Sequence, residues 1–213
     1  MKKFNRVAKT SWIAAGVLTA IISVPASAQW YAGAGVGSSH ATGINGSGAA
    51  TATTNFTISG ANRATSWKLY GGYQFTPNWG VEAQYTDLGK RSATVTLSGA
   101  VVGSGGLNAS TSQWGIAGTG TLPLSNNFYL LGKLGVSRNK IDNVTATIGG
   151  VTVSGSGTGK TDLLAGLGVG YNFNKNVGVR FEYENFGKFS SNGGAGGSGI
   201  KGDNWGISLK YAF

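Results

Sequence analysis

The end of the chain alternates strictly between apolar residues and small or polar ones, and this alternation limits its possible folds. The apolar positions are Trp205, Ile207, Leu209, Tyr211 and Phe213, and the positions between them are Asn204, Gly206, Ser208, Lys210 and Ala212. Successive side chains of a β-strand point to opposite faces, so a period of two predicts a strand with one fully apolar face.

The same alternation recurs upstream, in residues 67–75, 79–85, 162–173 and 177–184. With a first strand at about Trp30–Ser39, it predicts eight strands joined by short turns on one side and four long connections on the other. The long connections are rich in Gly, Ser, Thr and Asn, and we expect loops or flexible strand extensions at residues 42–64, 90–111, 140–159 and 188–202.

Three short turns follow if apolar residues share a face. Phe75 then opposes Trp79, Leu124 opposes Phe128 and Phe173 opposes Val177, which leaves the loops Thr76-Pro77-Asn78, Ser125-Asn126-Asn127 and Asn174-Lys175-Asn176. Each loop ends in an asparagine, and these asparagines are 49 residues apart. We expect each of them to adopt the left-handed conformation, which asparagine tolerates, within a hairpin unit of fixed period.

The N-terminal residues have the pattern of a secretory signal peptide. Basic residues precede an apolar run from Trp12 to Val24, and Ala26-Ser27-Ala28 matches a small-x-small cleavage site. The run is too short to span a bilayer as a helix. We therefore predict a signal peptide at residues 1–28, cleavage before Gln29 and a single barrel domain at residues 29–213.

The polar face of the strands distinguishes a membrane barrel from a soluble one. A soluble barrel would expose that face to water and carry many Lys and Glu residues there, yet the chain has 38 Gly and only 11% charged residues. Aromatic residues also concentrate toward both ends of the strands, as at the two interfaces of a membrane barrel. The sequence predicts an all-β fold, an eight-stranded antiparallel up-and-down transmembrane β-barrel.

Four segments carry a resemblance to a known family: Trp30-Tyr31-Ala32-Gly33-Ala34, GGYQFTPNWGVEAQYTDLGK, VGYNFNKNVGVRFEYENFGK and ISLKYAF. Together and in this order they resemble the transmembrane domain of outer membrane protein A and its small-porin relatives. The resemblance implies an integral outer-membrane barrel, a structural protein with at most a narrow pore for small solutes. A surface adhesin or a port for small hydrophobic molecules is the alternative, followed by a lipid-modifying enzyme.

The resemblance also bears on single residues. Phe213 is similar to the C-terminal aromatic signal that the barrel-assembly machinery recognises in this family. The family carries a basic residue in the lumen on its fourth strand, whereas this chain has Gln113, Gly115, Ala117 and Thr119 there. A gating role based on that basic residue is therefore not carried over.

Seven charged residues fall on the predicted inner face: Lys68, Glu82, Lys133, Arg180, Glu182, Glu184 and Lys210. Unpaired charges away from bulk water are costly, so we expect these side chains to pair and to plug or narrow the lumen. The alternative is a selectivity filter for small ions.

A second basic set falls on the side of the long connections: Arg63, Lys90, Arg91, Arg138, Lys140, Lys160, Lys188 and Lys201. We expect it to ring the outer rim, where it either contacts lipopolysaccharide phosphates or simply keeps the loops soluble. The partners predicted are thus outer-membrane lipid, lipopolysaccharide and the assembly machinery, with no nucleic acid, for a barrel that we expect to be a monomer.

Candidate catalytic groups are scarce. His40 is the only histidine, and its neighbours Ser38 and Ser39 imply no dyad geometry. The chain has no cysteine, and Glu182 and Glu184 are its only closely spaced carboxylates on a strand. We expect no enzyme activity, no cofactor and no metal site.

Overall fold

A computed structural model describes residues 29–148, 151–155, 157–190 and 199–213; the predicted signal peptide, residues 1–28, lies outside this range. The strands are β1 (Gln29–Thr42), β2 (Gly46–Thr51), β3 (Thr54–Gly60), β4 (Arg63–Gln74), β5 (Trp79–Gly99), β6 (Gly103–Pro123), β7 (Phe128–Ile148), β8 (Val151–Gly155), β9 (Thr158–Asn172), β10 (Val177–Ser190) and β11 (Ile200–Ala212). Among the described residues, no helix has the length and hydrophobicity needed to cross a membrane.

Eight of the strands form a closed antiparallel ring. Strand β1 pairs with both β4 and β11, and the ring continues through β4–β5, β5–β6, β6–β7, β7–β9, β9–β10 and β10–β11. The last strand therefore returns to the first, and the backbone groups of the ring bond to each other. This confirms the predicted eight-stranded barrel.

The other three strands extend the barrel on the side of the long connections. Strands β2 and β3 form a hairpin, and β3 pairs with the end of β5 from Ala93 to Gly99. Strand β8 pairs with the end of β7. Strands β5, β6 and β7 are each 21 residues long. Much of the first three long connections is therefore strand extension, one of the two forms expected for them.

The short turns have the predicted register. The backbone N–H groups of Phe75, Leu124 and Phe173 donate to the carbonyl oxygens of Trp79, Phe128 and Val177, at 2.9, 2.8 and 2.9 Å. The equal spacing of the three turns therefore reflects equivalent hairpins.

The prediction of left-handed asparagines is correct for Asn127, which has φ 65°, and wrong for Asn78 and Asn176. In those two turns a side chain at the first loop position closes the loop instead. Thr76 Oγ1 accepts from the Trp79 N–H at 3.0 Å, and Asn174 Oδ1 accepts from the Val177 N–H at 2.8 Å. Asn78 and Asn176 use their amide groups to bind neighbouring strands, with Nδ2 atoms 2.9 Å from Thr121 O and 2.7 Å from Ala212 O.

The apolar face points outward. Leu167, Leu209 and Ile116 are 72%, 62% and 60% exposed. Aromatic side chains pack in pairs near the short turns, such as Trp30–Tyr73 and Phe128–Tyr171, and near the long connections, such as Tyr85–Trp114 and Tyr183–Trp205. An apolar band between two aromatic girdles is the surface that a membrane barrel presents to lipid.

Candidate functional site

Lys133 lies at the centre of a buried charge cluster inside the barrel. It projects from β7, and its Nζ is 2.6 Å from Glu82 Oε1 and 3.1 Å from Glu184 Oε1. Nζ is also 2.6 Å from Glu182 Oε1, at an angle that leaves that oxygen without a hydrogen bond. One ammonium group therefore faces all three lumen carboxylates.

Two further cations complete this cluster. Lys68 Nζ is 2.7 Å from Glu182 Oε2 and 3.0 Å from Glu184 Oε2. Arg180 Nη1 donates to Glu82 Oε2 at 2.7 Å. The six side chains are at most 7% exposed. These three cations and three carboxylates thus neutralise each other across the lumen. We call the six side chains the ionic layer.

The structure does not bring Lys210 into the ionic layer, in contrast to the expectation that the inward charges pair. Within the described residues, no carboxylate lies within 4.0 Å of its ammonium group. Lys210 pairs with Gly178, two positions before Arg180 on β10, so it lies closer to the short turns than the ionic layer. The three glutamates are already shared among the other three cations.

Three tyrosines fill the lumen beside the ionic layer, and they were not among the residues expected there from the sequence. The Tyr31 hydroxyl donates to Glu82 Oε2 at 3.1 Å, and the Tyr129 hydroxyl accepts from Arg180 Nε at 3.3 Å. The Tyr70 ring lies 4.9 Å from Arg180 Cζ. All three are in the inward phase of the alternation, which is the signal that identifies them.

Each of these rings lies over a glycine of a paired strand. A Cβ at Gly72 would come within 2.4 Å of the Tyr31 ring, one at Gly170 within 2.1 Å of Tyr129, and one at Gly33 within 2.2 Å of Tyr70. A methyl group cannot fit at these distances. The inward glycines therefore make room for the rings that narrow the lumen.

The lumen has an internal repeat of 98 residues. Tyr31 corresponds to Tyr129 and Glu82 to Arg180. The Ser39 hydroxyl donates to the Leu88 carbonyl, and Ser137, at the same offset, donates to that of Phe186. Equivalent positions thus carry opposite charges at Glu82 and Arg180, and these two side chains contact each other.

A second, apolar layer lies between the ionic layer and the long connections. It contains Leu88, Ala117, Leu164, Phe186 and Phe189, each at most 3% exposed, with Ile141 and Ile200 packed against it. On β10, Phe186 is the next inward residue after Glu182 and Glu184 of the ionic layer. The described lumen is therefore closed twice in succession, first by ion pairs and then by hydrocarbon.

The family model of the outer membrane protein beta-barrel domain matches residues 13–213. The chain belongs to this outer-membrane β-barrel family. Its membership places the barrel in the outer membrane, with the short turns on the periplasmic side.

Solved structures of other barrels have the same fold. One is Ail, the attachment invasion locus protein of Yersinia pestis, in complex with the heparin analogue sucrose octasulfate, at TM-score 0.52 and 16% identity over 88% of this chain and 99% of Ail. Another is the outer membrane protein OprG from Pseudomonas aeruginosa, at TM-score 0.53 and 17% identity over 88% of this chain and 96% of OprG. No curated protein sequence matches the chain.

On the fourth strand of the ring, Gln113, Ala117 and Thr119 point into the lumen of this outer-membrane barrel and are buried. Gln113 Oε1 accepts from Gln84 Nε2 at 3.4 Å. The inner face of this strand thus makes a neutral amide contact and carries no charged side chain.

Most of the predicted basic rim is exposed on the extracellular side. The exposed members are Arg63, Lys90, Arg138, Lys140, Lys188 and Lys201, and Lys160 is half-buried. Lys188 and Lys201 lie directly opposite each other on β10 and β11.

Arg91 differs from the rest of the rim, because its side chain is buried inside the barrel. Its Nη1 donates to Thr111 Oγ1 and its Nη2 to Ser39 Oγ, each at 2.6 Å. The reason is a β-bulge between Asp87 and Lys90, where Gly89 has φ 81° and the alternation shifts by one residue. The expectation that Arg91 faces outward with the rim is therefore wrong.

His40 has an acidic neighbour. Its Nδ1 lies 3.5 Å from Asp203 Oδ2 on the paired strand. Ser39 points to the opposite, inner face, where its hydroxyl donates to the Leu88 carbonyl at 2.6 Å. In the described part of the chain no hydrogen bond joins His40 to Ser38 or Ser39, so these residues form no dyad.

Proposed function

We propose that this chain is a structural outer-membrane barrel with a closed lumen, which passes small solutes slowly at most and catalyses no reaction. The observation that carries the proposal is the pair of successive layers across the lumen. The charged side chains of the ionic layer form ion pairs with each other, and the apolar layer above it places buried hydrocarbon across the lumen. A small barrel filled in this way acts through its surface rather than as a channel.

The experiment is a conductance measurement on the refolded barrel in planar bilayers. We expect conductance far below that of a trimeric porin refolded and inserted by the same protocol. Stable openings of the unchanged barrel, with steps comparable to those of the porin, would contradict the closed lumen.

Export and assembly are part of the same proposal. The signal-peptide pattern of residues 1–28 supports export with cleavage before Gln29. Phe213 is 70% exposed next to Tyr211 on the outer face, and its N–H donates to Trp30 O at 2.9 Å. An exposed aromatic end supports recognition of Phe213 by the barrel-assembly machinery. Deleting Phe213 should slow assembly in cells, while deleting a residue of the β2–β3 turn should not.

The basic rim supports a second role, the binding of lipopolysaccharide phosphates. Lys188 and Lys201 oppose each other directly, and like charges in this position repel unless an anion lies between them. Phosphate groups of lipopolysaccharide lie at this level of the outer leaflet and would supply that anion. A heparin-like sulfated ligand is the alternative partner, since Ail was solved in complex with the heparin analogue sucrose octasulfate.

This role is tested by changing both lysines to glutamine and measuring the affinity for lipopolysaccharide. We expect the Lys188→Gln, Lys201→Gln double variant to bind more weakly and with a shallower dependence on salt. Lys175→Gln, in a periplasmic turn, is the matched control. Equal binding by the double variant and the control would contradict the proposed contact, and lost binding to heparin alone would favour the adhesin role.

A further inference from the structure

Within the part of the chain that the structure describes, Lys210 forms no ion pair, although it lies next to the neutral ionic layer. The ionic layer holds three cations and three carboxylates, and each glutamate contacts two of those cations. Lys210 adds a fourth positive charge below this layer. In the described residues no carboxylate lies within 4.0 Å of its ammonium group, so no ion pair balances its charge directly.

The surroundings of Lys210 are aromatic. Its Nζ lies 5.2 Å from the centroid of the Tyr129 ring and 6.0 Å from that of Tyr31. Ring faces attract an ammonium group, but they accept none of its hydrogens in the way an oxygen does. The three N–H donors of Lys210 therefore have no protein acceptor in the described part of the lumen.

Tyr129 contributes another unused donor. Its hydroxyl oxygen accepts from Arg180 Nε at 3.3 Å, so its own hydrogen points elsewhere. No acceptor for that hydrogen exists among the described residues, although the side chain is only 4% exposed. A buried hydroxyl hydrogen and a half-buried ammonium group thus lie together, and both require an acceptor.

Lys210 lies on the periplasmic side of the ionic layer. The ionic and apolar layers close the lumen toward the extracellular side, while Lys210 is three residues from the C-terminal Phe213, at the end where β11 meets the start of β1. A ligand of Lys210 would therefore come from the periplasm.

We propose that Lys210 and Tyr129 form a binding site for a small oxyanion, a phosphate or a carboxylate, at the periplasmic mouth of the lumen. An oxyanion supplies the missing negative charge and several acceptor oxygens at once, so it can accept from Lys210 Nζ and from the Tyr129 hydroxyl together. The binding contacts do not depend on the proposed structural function, whereas entry from the periplasm rests on the closed lumen.

The test is a titration of the full barrel, refolded in octyl glucoside so that no lipid or detergent phosphate competes. Inorganic phosphate, acetate and chloride are added separately at constant ionic strength, and the amide resonances of Lys210, Gly178 and Tyr129 are followed by NMR. We expect saturable shifts with phosphate or acetate, confined to this end of the lumen.

The matched variants are Lys210→Met, which keeps the length of the side chain, and Lys175→Met, an exposed lysine of a periplasmic turn. Saturable shifts should disappear in Lys210→Met and remain in Lys175→Met. Tyr129→Phe should weaken the affinity about tenfold, as expected for one hydrogen bond to a charged group. Lys210→Gln replaces Lys210→Met if the latter does not fold.

Three results would overturn the proposal. One is a linear response of the unchanged barrel that never saturates. Another is a response in Lys210→Met or Lys210→Gln equal to that of the unchanged barrel. The third is an equal response to chloride. A site whose two donors bind two oxygens of one ligand must distinguish an oxyanion from a spherical ion.

Discussion

At the scale of single residues, the contact between Glu82 and Arg180 shows how the internal repeat is used. The two residues occupy equivalent positions, 98 residues apart, and an exact repeat would place two like charges in contact. Because one residue is acidic and the other basic, the two equivalent positions form an ion pair. Both side chains are nearly inaccessible to solvent; Arg180 depends on Glu82 for its counter-charge, while Glu82 also contacts Lys133.

We predict that Glu82→Ala and Arg180→Ala each lower the free energy of unfolding by about 3–5 kcal/mol, less any relief from water entering the lumen. The double variant should cost less than the sum, because residues of one network are not additive. Urea titrations in lipid vesicles measure the three values. Glu82→Gln is the control, since it retains the shape and removes the charge, and simple additivity would contradict the coupling.

At the scale of the strand, two bulges redirect the ends of β5 and β10. Gly89 and Gly187 have φ 81° and 67°, and they follow the equivalent inward residues Leu88 and Phe186. Each bulge shifts the alternation by one residue, so Arg91 and Phe189 turn inward beyond it. The bulges therefore complete the apolar layer and the polar contacts above it.

We predict that Gly89→Ala destabilises the barrel. A Cβ there would lie 2.4 Å from Thr65 O. The left-handed conformation alone should lower the free energy of unfolding by about 1–3 kcal/mol, and the contact with Thr65 O adds to this. The matched control is Gly103→Ala, where a Cβ would meet no atom within 4 Å. Measured free energies of unfolding should fall only for Gly89→Ala, and equal effects would show that the bulge is dispensable.

The outward face of β11 allows a second prediction at this scale. Leu209 lies midway between the girdle residues Trp205 and Phe213 and is 62% exposed. Leu209→Arg should therefore place a charge near the middle of the bilayer and cost about 2–4 kcal/mol of unfolding free energy. Leu209→Ala, measured in the same vesicles, separates this charge cost from lost apolar contact. An arginine that costs no more than the alanine would place Leu209 outside the membrane.

The sequence was sufficient to predict strands, faces and turn registers, because each depends on a local period of two. It predicted the inward charges for the same reason. Pairing depends on where strands far apart in sequence face each other, as Lys68 and Glu182 do. Arg91 was assigned to the rim because residues 90–111 were expected to be a long connection, whereas β5 continues there and a bulge turns Arg91 inward. Gly89 was the local signal for that change.

At the scale of the whole molecule, the two layers act as barriers in series. Ions moving along the axis must cross the ionic layer and then the apolar layer of Leu88, Leu164, Phe186 and Phe189. The resistance of barriers in series is set by the larger one, so opening one layer leaves the other in place. Removing part of the ionic layer should therefore lower the stability of the barrel, while the apolar layer keeps its conductance low.

We predict that Glu82→Ala alone and Phe186→Ala alone leave the conductance in planar bilayers low, and that the double variant conducts measurably. Phe186 is fully buried in the apolar layer, and its removal should leave a cavity and cost about 3–5 kcal/mol, so folding of each variant must first be checked by its circular dichroism. Phe181→Ala is the control, because this phenylalanine of the same strand is exposed on the outer face. Full conductance in the Glu82→Ala variant would show that the ionic layer is the only plug, and a closed double variant would show that other residues also block the lumen.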